Sequence, residues 1–153
     1  MKKKLVDVYP YVRGRDGKIS FLLLKRSVDV IYANQWRMIG GKVQDGETYW
    51  QAGLREMKEE TGSDPITFWT IPLVNTFYEH QTDTIHQIPA FAAELSQDHN
   101  ILLNKEHQNY KWLPKKEVKN YLSWPQQIRL ISSVDEIVTE GRILEKWLID
   151  LPQ

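Results

Sequence analysis

Apolar and polar positions change period several times along the chain, and each change marks an element. Leu5 to Val12 is rich in β-branched and aromatic residues and reads as a strand. Arg13 to Lys18 holds two glycines and an aspartate and reads as a turn. Ile19 to Lys25 returns as a second strand, so the pair predicts a hairpin. Arg26 to Gln35 has no period and reads as a loop. Trp36 to Ile39 predicts a short strand stopped by Gly40 and Gly41.

The period then becomes helical. Thr48 to Thr61 is built of good helix formers, with Trp50, Leu54 and Met57 on one apolar face and Gly62 as the stop. Gly53 inside this helix costs about 1 kcal/mol against Ala, which close packing on a neighbour explains. Ile66 to Glu79 reads as a long strand broken at Pro72, Gln81 to Asp83 as a turn, and Ile85 to Leu95 as the returning strand. Tyr110 to Leu113 is a short strand and Pro114 to Tyr121 a short helix. A long helix is predicted from Pro125 to Ile149, with Ile128, Ile131, Val134, Val138, Leu144 and Leu148 as its buried stripe. Strands, one helix, strands and a final helix make an α+β pattern without regular βαβ alternation.

A chain of 153 residues suits a single domain spanning residues 1–153. Hydrophobic residues at 41% and charged residues at 26% exclude disorder over most of the length. Twenty basic and twenty acidic side chains leave no global field to attract nucleic acid or a membrane surface. No apolar run approaches the length of a membrane span. Cysteine is absent, which excludes disulfides, thiolate metal sites and a cysteine nucleophile. The expectation is a soluble cytoplasmic protein, monomer or homodimer, without nucleic-acid or membrane partners.

The chemistry concentrates on the first helix. Glu56 and Glu60 lie about 40° apart around it and Glu59 about 60° to the other side. Three carboxylates thus share one face, opposite the Trp50, Leu54 and Met57 face. Like charges so placed repel, and a hard divalent cation with oxygen ligands relieves that repulsion. On an arbitrary helix such glutamates form an ordinary solvated face.

Their spacing argues otherwise. Gly41, Glu47, Arg55, Glu56, Met57, Glu59, Glu60 and Gly62 fall in place on the Nudix box, Gly-x5-Glu-x7-Arg-Glu-U-x-Glu-Glu-x-Gly-U, where U is bulky and apolar. Seven fixed identities at about 6% each give a chance match of about 10⁻⁷ for the chain. Two positions depart: Ser63 occupies the last U, and Ile39 stands where many members have proline. The chain therefore resembles the Nudix hydrolases. Lys105, Glu106, His107, Tyr110, Lys111, Trp112, Leu113 and Pro114 resemble the Glu-His-x-x-Tyr-Lys-Trp-Leu segment of bacterial dihydroneopterin triphosphate pyrophosphatases, which animal diadenosine tetraphosphate hydrolases also carry.

The resemblance implies an α/β/α sandwich with a mixed sheet between helices and a loop–helix–loop catalytic motif. It implies that Glu56, Glu60 and the Gly40 carbonyl hold Mg²⁺ or Mn²⁺. Glu59 would be ligand or general base, and so would Glu106; Arg55 would pair with Glu47 to hold the loop on the helix. The implied reaction is attack of water on a nucleoside or pterin triphosphate, releasing a monophosphate and pyrophosphate. A dinucleoside polyphosphate hydrolase and a non-catalytic nucleotide-sensing domain are the alternatives.

Arg26, at the end of the second strand, and Lys42, beside Gly41, are the candidate cations for substrate binding. Tyr32, Trp36, Phe77, Trp112 and Trp124 are candidates to stack on a base or pterin ring. His80, His86, His99 and His107 lack zinc-site spacing, so no zinc site is read; His107, next to Glu106, is the one histidine placed for a functional role, though a structural role is the commoner one.

Overall fold

A computed structural model describes residues 3–152; Met1, Lys2 and Gln153 lie outside the described residues. Seven strands form one mixed sheet: β1 (Leu5–Arg13), β2 (Ile19–Arg26), β3 (Trp36–Arg37), β4 (Ile39–Lys42), β5 (Thr67–Glu79), β6 (Thr84–Leu95) and β7 (His107–Leu113). Helix α1 (Tyr49–Thr61) packs on one face of the sheet. Helices α2 (Lys115–Val118) and α3 (Pro125–Thr139) pack on the other.

The centre of the sheet is forked. β1 runs parallel to β6 along one edge. On its other edge the second half of β1 pairs with β2, at Tyr11 with Phe21, and the first half pairs with β4, at Asp7 with Gly40. β2 diverges to pair with β7 and, at Leu24 and Lys25, with β3. The segment Trp36–Lys42 therefore leaves β2 and joins β1, filling the fork. Gly40 and Gly41 do not stop a strand as the sequence pattern suggests. They lie within β4, because backbone pairing to Val6 and Asp7 supplies what their missing side chains cannot.

Strand alternation divides the core. Val6, Val8, Leu22 and Leu24 meet Ala52 and Met57 of α1 together with Phe68 and Phe91. Tyr9, Tyr11, Phe21, Leu23 and Trp69 meet Leu130, Ile131, Val134 and Val138 of α3. Gly53 has the packing reason expected of it: a Cβ there would lie 3.2 Å from the rings of both Phe68 and Phe91. Thr48 and Gln51 form a capping box at the start of α1, and Gly62 closes it in the left-handed conformation at φ 72°.

The final helix is shorter than its apolar period predicts. It ends at Thr139, and Gly141 at φ 65° turns the chain. Ile131, Val134 and Val138 are buried, but Leu144 and Leu148 are exposed. Beyond the turn the chain lies along β5, where Trp147 stacks on Trp69 and the Ile149 amide donates to the Phe68 carbonyl at 2.9 Å. A helical period continued by chance into a segment that packs by other means. The strand Thr67–Glu79 is continuous through Pro72, where its register with β6 shifts between Thr70 and Val74.

Candidate active site

One cleft of about 320 Å³ crosses the fork from the α1 face to the α3 face. β4 is its divide. A Cβ on Gly41 would collide with the Glu56 carboxylate on the α1 side, while one on Gly40 would lie 3.2 Å from Asp7 Oδ1 on the other. Two successive positions without side chains therefore admit one carboxylate from each face.

On the α1 side, Arg55 fixes the loop to the helix. Its Nε donates to Glu47 Oε2 at 2.7 Å and its Nη2 to Glu47 Oε1 at 3.0 Å, a two-pronged pair. The same guanidinium reaches the Lys42 carbonyl at 2.8 Å and Glu56 Oε1 at 2.9 Å. Glu47 also accepts from the Gln44 amide at 2.9 Å. Glu47 is held below its ordinary range first by the Arg55 hydrogen bonds. Glu56 is pushed up by burial, against which Arg55 acts.

The three helix glutamates differ sharply in environment. Glu59 is exposed and touches Arg55 at 3.3 Å. Glu56 is half-buried. Glu60 is 3% exposed, and its Oε2 is buried without a hydrogen-bond partner. Burial, then the charges of Glu56 and Glu106, push the Glu60 carboxyl up to about 9. The carboxylate face is thus not opposite the apolar face: Glu60 stands seven residues from buried Gly53, two turns along the same side of the helix.

Glu106 approaches from the loop before β7. Its amide donates to Asn104 Oδ1 at 3.0 Å, and Asn104 Nδ2 donates to the Glu59 carbonyl at 3.2 Å, so one asparagine ties this loop to α1. Ligand atoms of Glu60, Glu106 and His107 all lie within 4.8 Å of one another. His107 is 5% exposed, its Nδ1 is buried without a partner, and burial lowers it to about 4, which keeps the imidazole neutral. Orphaned buried atoms on an oxygen-rich set that includes a neutral imidazole fit a divalent cation. A lone histidine gave no spacing signal in the sequence; its neighbour Glu106 was the only pointer.

Arg26 lines the cleft with its Nη1 4.0 Å from Glu106 Oε2, while its Nε donates to the Ile31 carbonyl. Lys42 is exposed and lies outside the cleft lining. The Gly40 backbone does line the cleft. Of the candidate stacking aromatics, Tyr32, Phe77 and Trp124 line it as well. Trp36 packs edge-on against Tyr121, and Trp112 packs against His99.

The polar floor on the α3 side of the cleft was silent in the sequence. Asp7 of β1, Asn75 of β5 and Gln127 of α3 are 8%, 7% and 6% exposed and meet on its floor. Asn75 Nδ2 donates to Asp7 Oδ2 at 3.0 Å. Burial pushes the Asp7 carboxyl up to about 6, with Asn75, Arg37, Gln127 and Tyr9 acting against that rise. These residues come from three distant elements, so no local spacing marks them.

The chain resembles known proteins over most of its length. A family model of the NUDIX domain matches residues 3–134. The asymmetrical bis(5'-nucleosyl)-tetraphosphatase of Caenorhabditis elegans is 35% identical over 98 residues, covering 63% of this chain and 68% of that protein. The CTP pyrophosphohydrolase of Escherichia coli strain K12 is 30% identical over 131 residues, covering 85% of this chain and 91% of the relative. The crystal structure of a C. elegans Ap4A hydrolase binary complex shares the fold at a TM-score of 0.75 and 24% identity, covering 91% of this chain and 99% of that one.

Proposed function

The chain belongs to the Nudix family of hydrolases, which act on acid anhydrides, and on that premise we propose that it is a single-domain, cytoplasmic, Mg²⁺-dependent pyrophosphohydrolase of nucleoside or pterin triphosphates. The convergence of Glu60, Glu106 and His107, with buried ligand atoms left unpaired, carries this reading. Without a cation the buried Glu60 carboxyl keeps its proton and lacks a partner, and a bound cation would satisfy it as a carboxylate.

Glu56, Glu60, Glu106, His107 and the Gly40 carbonyl would hold the metal, with Mn²⁺ able to replace Mg²⁺. When bound, the cation supplies neutralisation of phosphate charge and a lower pKa for water. Arg26, which lines the same cleft, binds the phosphate chain. Glu106 and Glu59 are the two exposed carboxylates beside this site, and one of them takes the proton of the attacking water. Water adds to the internal phosphorus in line. The anhydride bond to the leaving pyrophosphate breaks, and the monophosphate remains. Arg55 and Glu47 position Glu56 by locking the loop to the helix.

Likeness to a tetraphosphatase favours a second reading, hydrolysis of a dinucleoside tetraphosphate. The test is a panel of the common nucleoside triphosphates, dihydroneopterin triphosphate, diadenosine tetraphosphate and ADP-ribose, with Mg²⁺ and product identification. Pyrophosphate from triphosphates supports the first reading. Preferential cleavage of diadenosine tetraphosphate supports the second, and no turnover across the panel contradicts both.

A further inference from the structure

Asp7 and Gln127 sit on the α3 side of the divide, away from the metal-binding set but in the same cleft. Their environment has a chemical polarity. Asn75 donates to the Asp7 carboxylate, and the Gln127 amide faces the same group. With the Asn75 nitrogen turned toward Asp7 and the Gln127 oxygen left without a donor, the floor presents oxygen atoms. Gln127 Oε1 is buried and has no partner. A buried acceptor without a donor costs free energy that a ligand N–H recovers. A carboxylate accepts about four hydrogen bonds, and the Asn75 amide supplies one at Oδ2, leaving capacity for a ligand donor.

The surrounding walls suit a planar ring. Phe77 and Trp124 lie with centroids 6.0 Å apart, and Phe77 also stacks on His86. Arg37 is held against the Tyr32 ring at 4.6 Å and the Trp124 ring at 5.4 Å, and offers donors beside the acceptor floor. Two acceptors next to a guanidinium match an edge that runs donor, donor, acceptor.

We infer that Asp7, Gln127 and Arg37 form a heterocycle-specificity site for a 2-amino-4-oxopyrimidine edge, as carried by guanine and by pterins. The amino and ring N–H groups meet Asp7 and Gln127, and the ring carbonyl meets Arg37. Uracil offers one donor between two carbonyls, while adenine and cytosine set an amino group beside a bare ring nitrogen; none satisfies this floor. Gly40 belongs to the same device, because its missing Cβ leaves room for Asp7 Oδ1. The inference rests on the triphosphate reading above and specifies its base.

Binding of α,β-methylene triphosphates, which resist cleavage at the α–β bond, tests it with Mg²⁺ present and tryptophan fluorescence as readout. The guanosine analogue should bind at least about 10-fold tighter than the adenosine and inosine analogues; inosine lacks only the amino group. Asp7→Asn should bring the guanosine-to-adenosine ratio to within about threefold, since an amide cannot accept at both atoms. Gln127→Met, checked by thermal melt alongside, should lower the same ratio and stands in should the Asp7 variant not fold. Competition by free neopterin separates a pterin site from a guanine site. Equal affinities for guanosine, inosine and adenosine analogues in a protein that still hydrolyses triphosphates would overturn this inference alone. An unchanged ratio in folded Asp7→Asn would overturn it too. Absence of both binding and hydrolysis would instead strike the pyrophosphohydrolase reading.

Discussion

The two ends of the cleft, one on each face of the sheet, solve the problem of buried polar groups in opposite ways. On the α3 face, Asp7 is paired by the protein itself, through the Asn75 amide, while Tyr9 Oη and Gln127 Oε1 beside it are left without partners. On the α1 face, Glu60 and His107 are left with buried atoms unpaired, and further carboxylates crowd them. The first arrangement pairs its carboxylate with a protein donor and leaves neutral polar atoms open to a ligand. The second is a carboxyl cluster whose buried member, Glu60, would ionise with an added cation. On the proposed function, binding of the base and charge compensation for the phosphates would be separated by β4 and its two glycines.

The sharpest way to break this contrast is Glu60→Gln. Turnover should fall by several orders of magnitude, while the metal-free protein should melt no lower than wild type, because the neutral amide replaces a carboxyl that burial already keeps protonated. Kinetics paired with calorimetry in chelator reads both. Loss of activity with a lowered metal-free Tm would mean that Glu60 is a structural group. Glu106→Gln comes next, with kcat reduced by about 10²–10⁴-fold at little change in KM. Glu59→Gln in the same assay tells which exposed carboxylate is the base; Glu106→Gln retaining half of wild-type kcat would assign that role to Glu59.

Smaller effects separate the two sides of β4. Gly41→Ala drives a methyl group into Glu56 and should weaken Mg²⁺ binding by about 10-fold or more. Gly40→Ala meets Asp7 at 3.2 Å and should chiefly alter base preference. Titration calorimetry with Mg²⁺ checks the pair, and equal weakening by both would erase the proposed divide. Arg55→Ala should lower activity together with a Tm loss of about 2–4 °C; a pair of purely surface character would leave the rate untouched.

A separate effect is a slope with pH. In the metal-free protein the Glu60 carboxyl titrates at about 9, against 4.5 for an unperturbed glutamate. Between these values the folded state holds a proton the unfolded chain has released, so stability falls as pH rises. Asp7 acts in the same sense only up to about 6, and His107 in the opposite sense between about 4 and 6.5. From pH 6.5 to about 9 the metal-free Tm should therefore decline, Glu60→Gln should remove most of that decline, and saturating Mg²⁺ should do the same. A flat profile in wild type would contradict the unpaired buried carboxylate.

The two ends also differ in how far they can be read before folding. Glu47, Arg55, Glu56, Glu59 and Glu60 sit on one loop and one helix, where spacing along the chain is spacing in space. The sequence therefore carries their grouping, though not the burial that sets Glu60 apart from Glu59, which depends on the loop before β7. Asp7, Asn75 and Gln127 meet only because β1, β5 and α3 pack together, and no periodicity encodes that meeting. The strands and α1 were legible from alternation and capping. The end of α3 was not, because the apolar residues after Gly141 pack on β5 from an irregular segment that happens to continue a helical period.

The central claim is that this cleft hydrolyses a triphosphate between its α- and β-phosphates with Glu60 as an essential anchor for the cation. Phosphorus NMR of GTP incubated with Mg²⁺ and either wild type or Glu60→Gln tests it directly, because the spectrum identifies the bond broken. The account predicts GMP and pyrophosphate with wild type and unchanged GTP with the variant. GDP and inorganic phosphate, or equal turnover by both proteins, would contradict it.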